Sequence, residues 1–259
     1  MMTGIFSIDL CIYLIAAVFG MCIFSFLNVV IYRVPRNISY AKGFSMCPTC
    51  GHRLYPKDLV PVFSWLFLRG KCRYCGTKIS PRYMVVELLG AACAVGDLWV
   101  YGLSFAAVTV FLFLAILTVI AFVDADTMEI PNRFLITVIV AALLSLVTGP
   151  QVPVLERVIG FFCISAPLFL ITLIIPDAFG GGDIKLMAPA GFLLGWKLTL
   201  IAFFISLITG GGWGIYLMAG KKESGKAHMP FGPFLALGMA VSVLFGNNLL
   251  RWYLGLFGL

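Results

Sequence analysis

Residues Ser104 to Asp126 read SFAAVTVFLFLAILTVIAFVDAD, an uncharged apolar run followed by two acids in alternate positions. Twenty residues of helix rise about 30 Å, the thickness of the hydrocarbon layer of a bilayer. The stretch therefore predicts a transmembrane helix that ends on Asp124-Ala125-Asp126. An ionised carboxylate at bilayer depth costs roughly 2.5 to 3.5 kcal/mol on insertion scales, so acids placed beside an apolar span invite a functional explanation. A second acid stands in a comparable place, where Gly180-Gly181-Gly182-Asp183 follows the apolar run 156–176. Two such acids suggest a carboxylate pair.

Composition points the same way. The 259 residues are 61% hydrophobic and 11% charged, with a mean hydropathy of +1.05, whereas a soluble domain is about a quarter charged. The expected fold class is an all-α polytopic membrane protein. Apolar runs near 8–34, 83–101, 104–123, 133–149, 156–176, 198–219 and 229–250 each suit a span. Residues 184–195 are ambiguous, because twelve residues of helix rise only about 18 Å, which suits a short span or a re-entrant segment.

Charge placement orients the chain. Ten of the 18 Lys and Arg lie from Arg33 to Arg82, and Lys221, Lys222 and Lys226 form a second cluster. Basic loops stay in the cytoplasm. If both clusters are inside, segment 184–195 must cross, giving about eight transmembrane helices with both termini outside. Fifteen basic residues then face inward, and Arg157, Lys197 and Arg251 face outward. The net charge of +7 thus reflects topology and anionic lipid, and no basic-aromatic surface suggests nucleic acid. The first span is read as a retained helix, since its basic residues follow the apolar stretch and no small-x-small site ends it.

The soluble stretch 35–80 carries Cys47-Pro48-Thr49-Cys50-Gly51 and Cys72-Arg73-Tyr74-Cys75-Gly76, two C-x-x-C-G turns separated by 21 residues. This is the spacing of a four-thiolate zinc ribbon, and glycine after the second cysteine permits the positive φ that such a turn needs. Two disulfides are the competing reading, disfavoured in a reducing cytoplasm. Four thiolates leave no open position, so the metal would be structural. His52 is expected to be an exposed ribbon histidine. Cys11, Cys22, Cys93 and Cys163 lie in apolar spans and are expected to be small buried hydrophobes.

Taken together, these features resemble the bacterial type IV prepilin peptidases. The matching text runs from Ser25-Phe26-Leu27-Asn28-Val29-Val30-Ile31-Tyr32-Arg33 through both cysteine pairs. Between those pairs stand Asp58-Leu59-Val60-Pro61, Ser64-Trp65-Leu66 and Leu68-Arg69-Gly70-Lys71. Ile79-Ser80-Pro81-Arg82-Tyr83, Glu87-Leu88 and the two Asp motifs follow. The resemblance implies an aspartic endopeptidase of the cytoplasmic membrane that removes the basic leader of prepilins or pseudopilins, and an N-methyltransferase that uses S-adenosylmethionine. It maps the catalytic dyad onto Asp124 and Asp183. Asp126, Gly180, Gly182 and Lys185 are expected in support, and Asp58, Glu87 and Gly90 as candidate contacts to the methyl donor. It divides the chain into a first transmembrane helix (1–34), a cytoplasmic zinc-ribbon loop belonging to the methyltransferase region (35–82) and a membrane-embedded peptidase core (83–259).

Other readings stand beside these. Either acid alone suits a helix-end or capping carboxylate, and Asp126, two residues from Asp124, points about 200° away on a helix. Glu129 and Asp177 read as interfacial acids, and Asp58 and Gly90 also suit a solvated loop acid and a helix-packing glycine. A peptidase without methyl transfer, or a proton-coupled transporter using the two acids, are the alternatives in function. No internal repeat of the transporter kind is visible.

Overall fold

A computed structural model describes residues 6–148, 152–176, 178–220 and 229–258. Asp177 and the Lys221, Lys222 and Lys226 cluster lie outside the described residues. The chain divides into two compact units, residues 1–104 and 105–259.

The first unit holds α1 (Phe6–Arg33), a 3-10 turn at Pro56–Asp58, the short α2 (Phe63–Phe67) and α3 (Arg82–Tyr101). Helices α1 and α3 pack on each other through Gly20 and Gly90. A Cβ on Gly90 would stand 2.5 Å from Phe24 Cγ, so small residues at the crossing allow the backbones to close. Asn28 Nδ2 donates to Tyr83 O at 3.1 Å, a second tie between the same helices. Arg33, at the end of α1, donates to the carbonyls of Ser39, Lys42 and Phe44 and organises the chain leaving the helix. Cys11 and Cys22 lie exposed on α1, contrary to the expectation that they are buried. An apolar span has a lipid-facing side on which a small hydrophobe sits without penalty.

The second unit is helical throughout its described residues: α4 (Phe105–Thr127), α5 (Asn132–Leu144), α6 (Val154–Cys163), α7 (Ser165–Ile174), α8 (Gly181–Leu194), α9 (Trp196–Gly220) and α10 (Gly232–Gly255). Proline marks several starts. Pro131 and Pro153 stand immediately before α5 and α6, and Pro233 lies in the first turn of α10, where a missing N–H costs nothing. Helix α8 ends at Gly195 with φ +76°, the left-handed stop that glycine supplies. The break at Ile164 between α6 and α7 precedes Pro167, whose ring collides with the carbonyl four residues earlier in a continuous helix.

Among the described residues, six helical segments are long and apolar enough to cross a membrane: Phe6–Arg33, Arg82–Tyr101, Phe105–Thr127, Val154–Ile174, Trp196–Ala219 and Gly232–Gly255. The other two expected spans are helices of 13 and 14 residues, α5 and α8. At 1.5 Å per residue each measures about 20 Å, shorter than the hydrocarbon layer. Both pack inside the second unit, where α8 contacts α5, α6, α7, α9 and α10.

Candidate active site and metal centre

In the second unit, α4 delivers Asp124 on its last turn, and the helix stops at Met128, which adopts φ +55° and donates its N–H to Asp124 O at 2.8 Å. That left-handed residue turns the chain into Ile130-Pro131. Asp124 is buried and Asp126 is exposed, as expected for neighbours on opposite helix faces. The Asp124 carboxylate accepts a 2.9 Å hydrogen bond from the backbone N–H of Gly232 at the start of α10.

Asp183 lies in the first turn of α8, buried, with its N–H donating to Gly180 O at 3.0 Å. Its carboxyl is close enough to Asp124 for the two to interact electrostatically. None of Gly180, Gly181 and Gly182 has a positive φ, and it is Gly180 and Gly182 that serve close approach, Gly181 having no neighbour within 4 Å of a Cβ. A Cβ on Gly180 would stand 3.0 Å from Asp183 Oδ2, and one on Gly182 would stand 3.0 Å from Ile130 Cβ. Gly182 thereby lets the start of α8 meet the turn that follows Asp126. Lys185 is exposed.

Sequence reasoning did not identify Gly232. A Cβ there would lie 2.6 Å from Asp124 Oδ2, so only glycine both donates the amide and leaves room for the carboxylate. The local signal was Pro230-Phe231-Gly232-Pro233, a glycine between two prolines at the mouth of the last span. Beside it opens an apolar cavity of about 300 Å³ lined by Ala125, Trp213, Leu217, Met229, Pro230, Pro233 and Phe234.

The first unit contains the cysteine cluster. Isolated bridges Met46↔Arg53 and Lys71↔Lys78 bracket the two C-x-x-C turns. In each turn the first cysteine's N–H closes a small loop, Cys47 N to His52 O at 3.0 Å and Cys72 N to Thr77 O at 2.8 Å. Gly51 and Gly76 take φ +69° and +71°, as the turns require. The four sulfurs lie within 4.8 Å of one another, and Cys47 Sγ is 3.9 Å from Cys75 Sγ. Tetrahedral zinc with Zn–S near 2.3 Å sets its sulfurs about 3.8 Å apart, so Cys47, Cys50, Cys72 and Cys75 fit a zinc ion. The backbone N–H of Cys50 leads in pulling the Cys47 thiol below its ordinary range, against the opposing effect of burial. His52 is exposed and stacks on Tyr74 with ring centres 3.7 Å apart.

Asp58 and Glu87 are both engaged. Asp58 accepts from Arg73 Nε at 2.6 Å, Tyr74 Oη at 2.9 Å and the Tyr55 N–H at 3.1 Å. Burial works to raise its carboxyl, and the hydrogen bonds from Arg73, Tyr55 and Tyr74 outweigh it and hold the group below its usual range. Glu87, buried on α3, accepts from Ser25 Oγ of α1 at 2.7 Å and from the Val62 N–H at 2.6 Å. Val62 has φ +63°, a strained conformation for a β-branched residue that Glu87 helps to hold.

Two family models match, and their boundaries follow the two units. Residues 18–101 match the bacterial peptidase A24 N-terminal domain, and residues 111–215 match the type IV leader peptidase family. The chain is 32% identical over 241 residues to a prepilin leader peptidase/N-methyltransferase of Bacillus subtilis, covering 92% of this chain and 96% of that protein. Proteins with the same description from Aeromonas salmonicida (31% over 266 residues, 91% of each chain) and Burkholderia pseudomallei (32% over 262 residues, 90% and 85%) are similarly related. No solved structure matches the chain significantly.

Proposed function

The chain belongs to the type IV leader peptidase family, and we propose that it removes the leader of a prepilin-like protein and methylates the amino terminus so exposed. The observation that carries the peptidase reading is the convergence of two buried acids, Asp124 and Asp183, from motifs on separate helices.

Two adjacent carboxyls share a proton more readily than they both ionise. The ionised member takes a proton from water as its oxygen bonds to the scissile carbonyl carbon, while the protonated member donates to the carbonyl oxygen. Collapse of the tetrahedral species breaks the C–N bond, and a carboxyl returns a proton to the departing amine. That amine is the methyl acceptor. The Gly232 N–H fixes one oxygen of Asp124 throughout, and the apolar cavity beside it suits the apolar segment that follows the cleaved bond. Exposed Asp126 and Lys185 flank the dyad, and Gly180 and Gly182 keep α8 close to it.

The basic stretch Arg33 to Arg82 supports placing the site at the cytoplasmic face of the cytoplasmic membrane, with an eight-crossing topology completed by α5 and α8. In the first unit, zinc bound by the four cysteines would be structural, since no ligand position stays open. S-adenosylmethionine supplies the methyl group. We assign its site to the face bearing Asp58, Glu87 and Gly90. Glu87 ties the loop to α3 through the Val62 N–H, Asp58 joins separate parts of the loop through Arg73, Tyr74 and Tyr55, and Gly90 keeps α1 and α3 in contact.

The test is leader removal from a tagged prepilin by the purified membrane protein. Asp124→Asn and Asp183→Asn should each abolish it with the fold retained, and Asp126→Asn should keep measurable activity. Full cleavage by either of the first two variants would overturn the dyad.

A further inference from the structure

Arg157 is 2% exposed, although its place at the start of the apolar run 156–176 predicted a charge facing outward. Its guanidinium is spent on the ends of two helices. Nη1 donates to Ser145 Oγ at 2.6 Å and reaches Phe192 O at 3.3 Å and Leu193 O at 3.5 Å. Nη2 donates to Ser145 O at 3.0 Å, and Nε to Val152 O at 3.0 Å. Ser145 is the C-cap of α5, and Phe192 and Leu193 belong to the last turn of α8.

A helix leaves its last four carbonyls without intrahelical partners, and in hydrocarbon no water replaces them. The bonds from Arg157 to the carbonyls of Ser145 and Leu193, at the ends of α5 and α8, are buried inside the second unit, so those carbonyls need partners from the protein itself. A cation with planar, forked donors answers both needs, satisfying several carbonyls and matching the negative ends of two helix dipoles. The opposite ends of the same two helices lie at the carboxylates. Gly182 of α8 packs on Ile130, just before α5, and Asp183 follows it. The pair is therefore pinned at both ends, by Ile130 and Gly182 at one and by Arg157 at the other.

We propose that Arg157 is a positioning residue for the peptidase reaction: by capping α5 and α8 together it sets how deep α8 sits, and so where Asp183 stands relative to Asp124. Without the cap, the freed carbonyls draw α8 along its axis toward water, and Asp183 moves with it. A displacement of about 1 Å at reacting groups lowers turnover on the order of 100-fold. The inference rests on the peptidase reading above.

The test compares wild type, Arg157→Gln, Arg157→Lys and Lys197→Gln in lipid nanodiscs, with prepilin cleavage expressed per folded molecule. Lys197→Gln removes an exposed ion pair to Glu156 and is expected to leave turnover intact. Arg157→Gln should lower kcat at least tenfold with KM within about twofold, and Arg157→Lys should recover part of the loss. Unchanged kcat per folded Arg157→Gln molecule, with only yield or melting temperature reduced, would show a purely structural cap and overturn the proposal. Inactive wild type would instead count against the peptidase reading. A second measurement is independent of activity: the yield of a short bifunctional thiol cross-link between Asp124→Cys and Asp183→Cys, identified by mass spectrometry. Adding Arg157→Gln should reduce that yield severalfold, and an unchanged yield would refute the positioning role.

Discussion

The backbone amide of Gly232 donates to the carboxylate of Asp124 across a separation of 108 residues, at 2.9 Å. The first turn of α10 is thus part of the site carried by α4 and α8. The contact leaves no space for a side chain at position 232, because a Cβ would approach Asp124 Oδ2 to 2.6 Å and Cγ to 2.9 Å.

Gly232→Ala is therefore expected to lower leader cleavage on the order of 100-fold while the helices remain assembled, since a misplacement near 1 Å has that effect on reacting groups. Kinetics and a melting curve on the same preparation check it. Wild-type turnover in the alanine variant would show that the carboxylate need not stay where it is.

The cluster of Cys47, Cys50, Cys72 and Cys75 predicts one zinc per chain by elemental analysis of protein purified without chelator. Cys47→Ser or Cys72→Ser should lower the metal content and increase proteolysis of residues 35–80, because so small a loop has little core of its own. Protein purified in this way with no metal would remove the zinc centre.

The two activities should separate. Asp124→Asn should still transfer labelled methyl groups to a pre-cleaved pilin, whose amine is already free, while Cys72→Ser should lose methyl transfer before cleavage. Parallel measurement of methyl incorporation and leader removal decides it. Equal loss of both activities in both variants would indicate a single shared site.

Asp58 adds a pH signature. Its folded carboxyl lies below its ordinary value of 3.8, so its contribution is present above that value and disappears as pH falls through the folded one. The stability advantage of wild type over Asp58→Asn should be constant near neutral pH and shrink below about pH 4. Thermal unfolding followed by Trp65 fluorescence, Trp65 being tied to the loop through its 3.2 Å bond to Ile79 O, reads that difference. An advantage that grew toward acid would reverse the assignment.

What was legible in the sequence was local. The C-x-x-C-G turns, with positive φ at Gly51 and Gly76, and the six long apolar helices follow from composition and spacing within short windows. Helix phase alone did not separate Asp124 from Asp126, because it gives opposite directions without saying which one faces the protein; the resemblance favoured Asp124, and that is the buried one of the two. Gly232 was not visible because its partner lies more than a hundred residues earlier. Arg157 was read as an outward charge because hydropathy does not register helix-end carbonyls buried within the second unit. The length of α5 was misjudged for a related reason, since apolar sequence continues past its C-cap, whereas the short segment 184–195 was read close to the length of α8.

The bond from Gly232 to Asp124 also has a consequence in time. At roughly 5 to 20 residues per second of synthesis, the ribosome needs roughly 5 to 20 s to progress from residue 124 to residue 232. Throughout that interval the Asp124 carboxylate lacks the Gly232 N–H that it accepts, and α10 has yet to enter the membrane. On the peptidase reading proposed above, a nascent chain without α10 holds both acids but not the amide that fixes one of them.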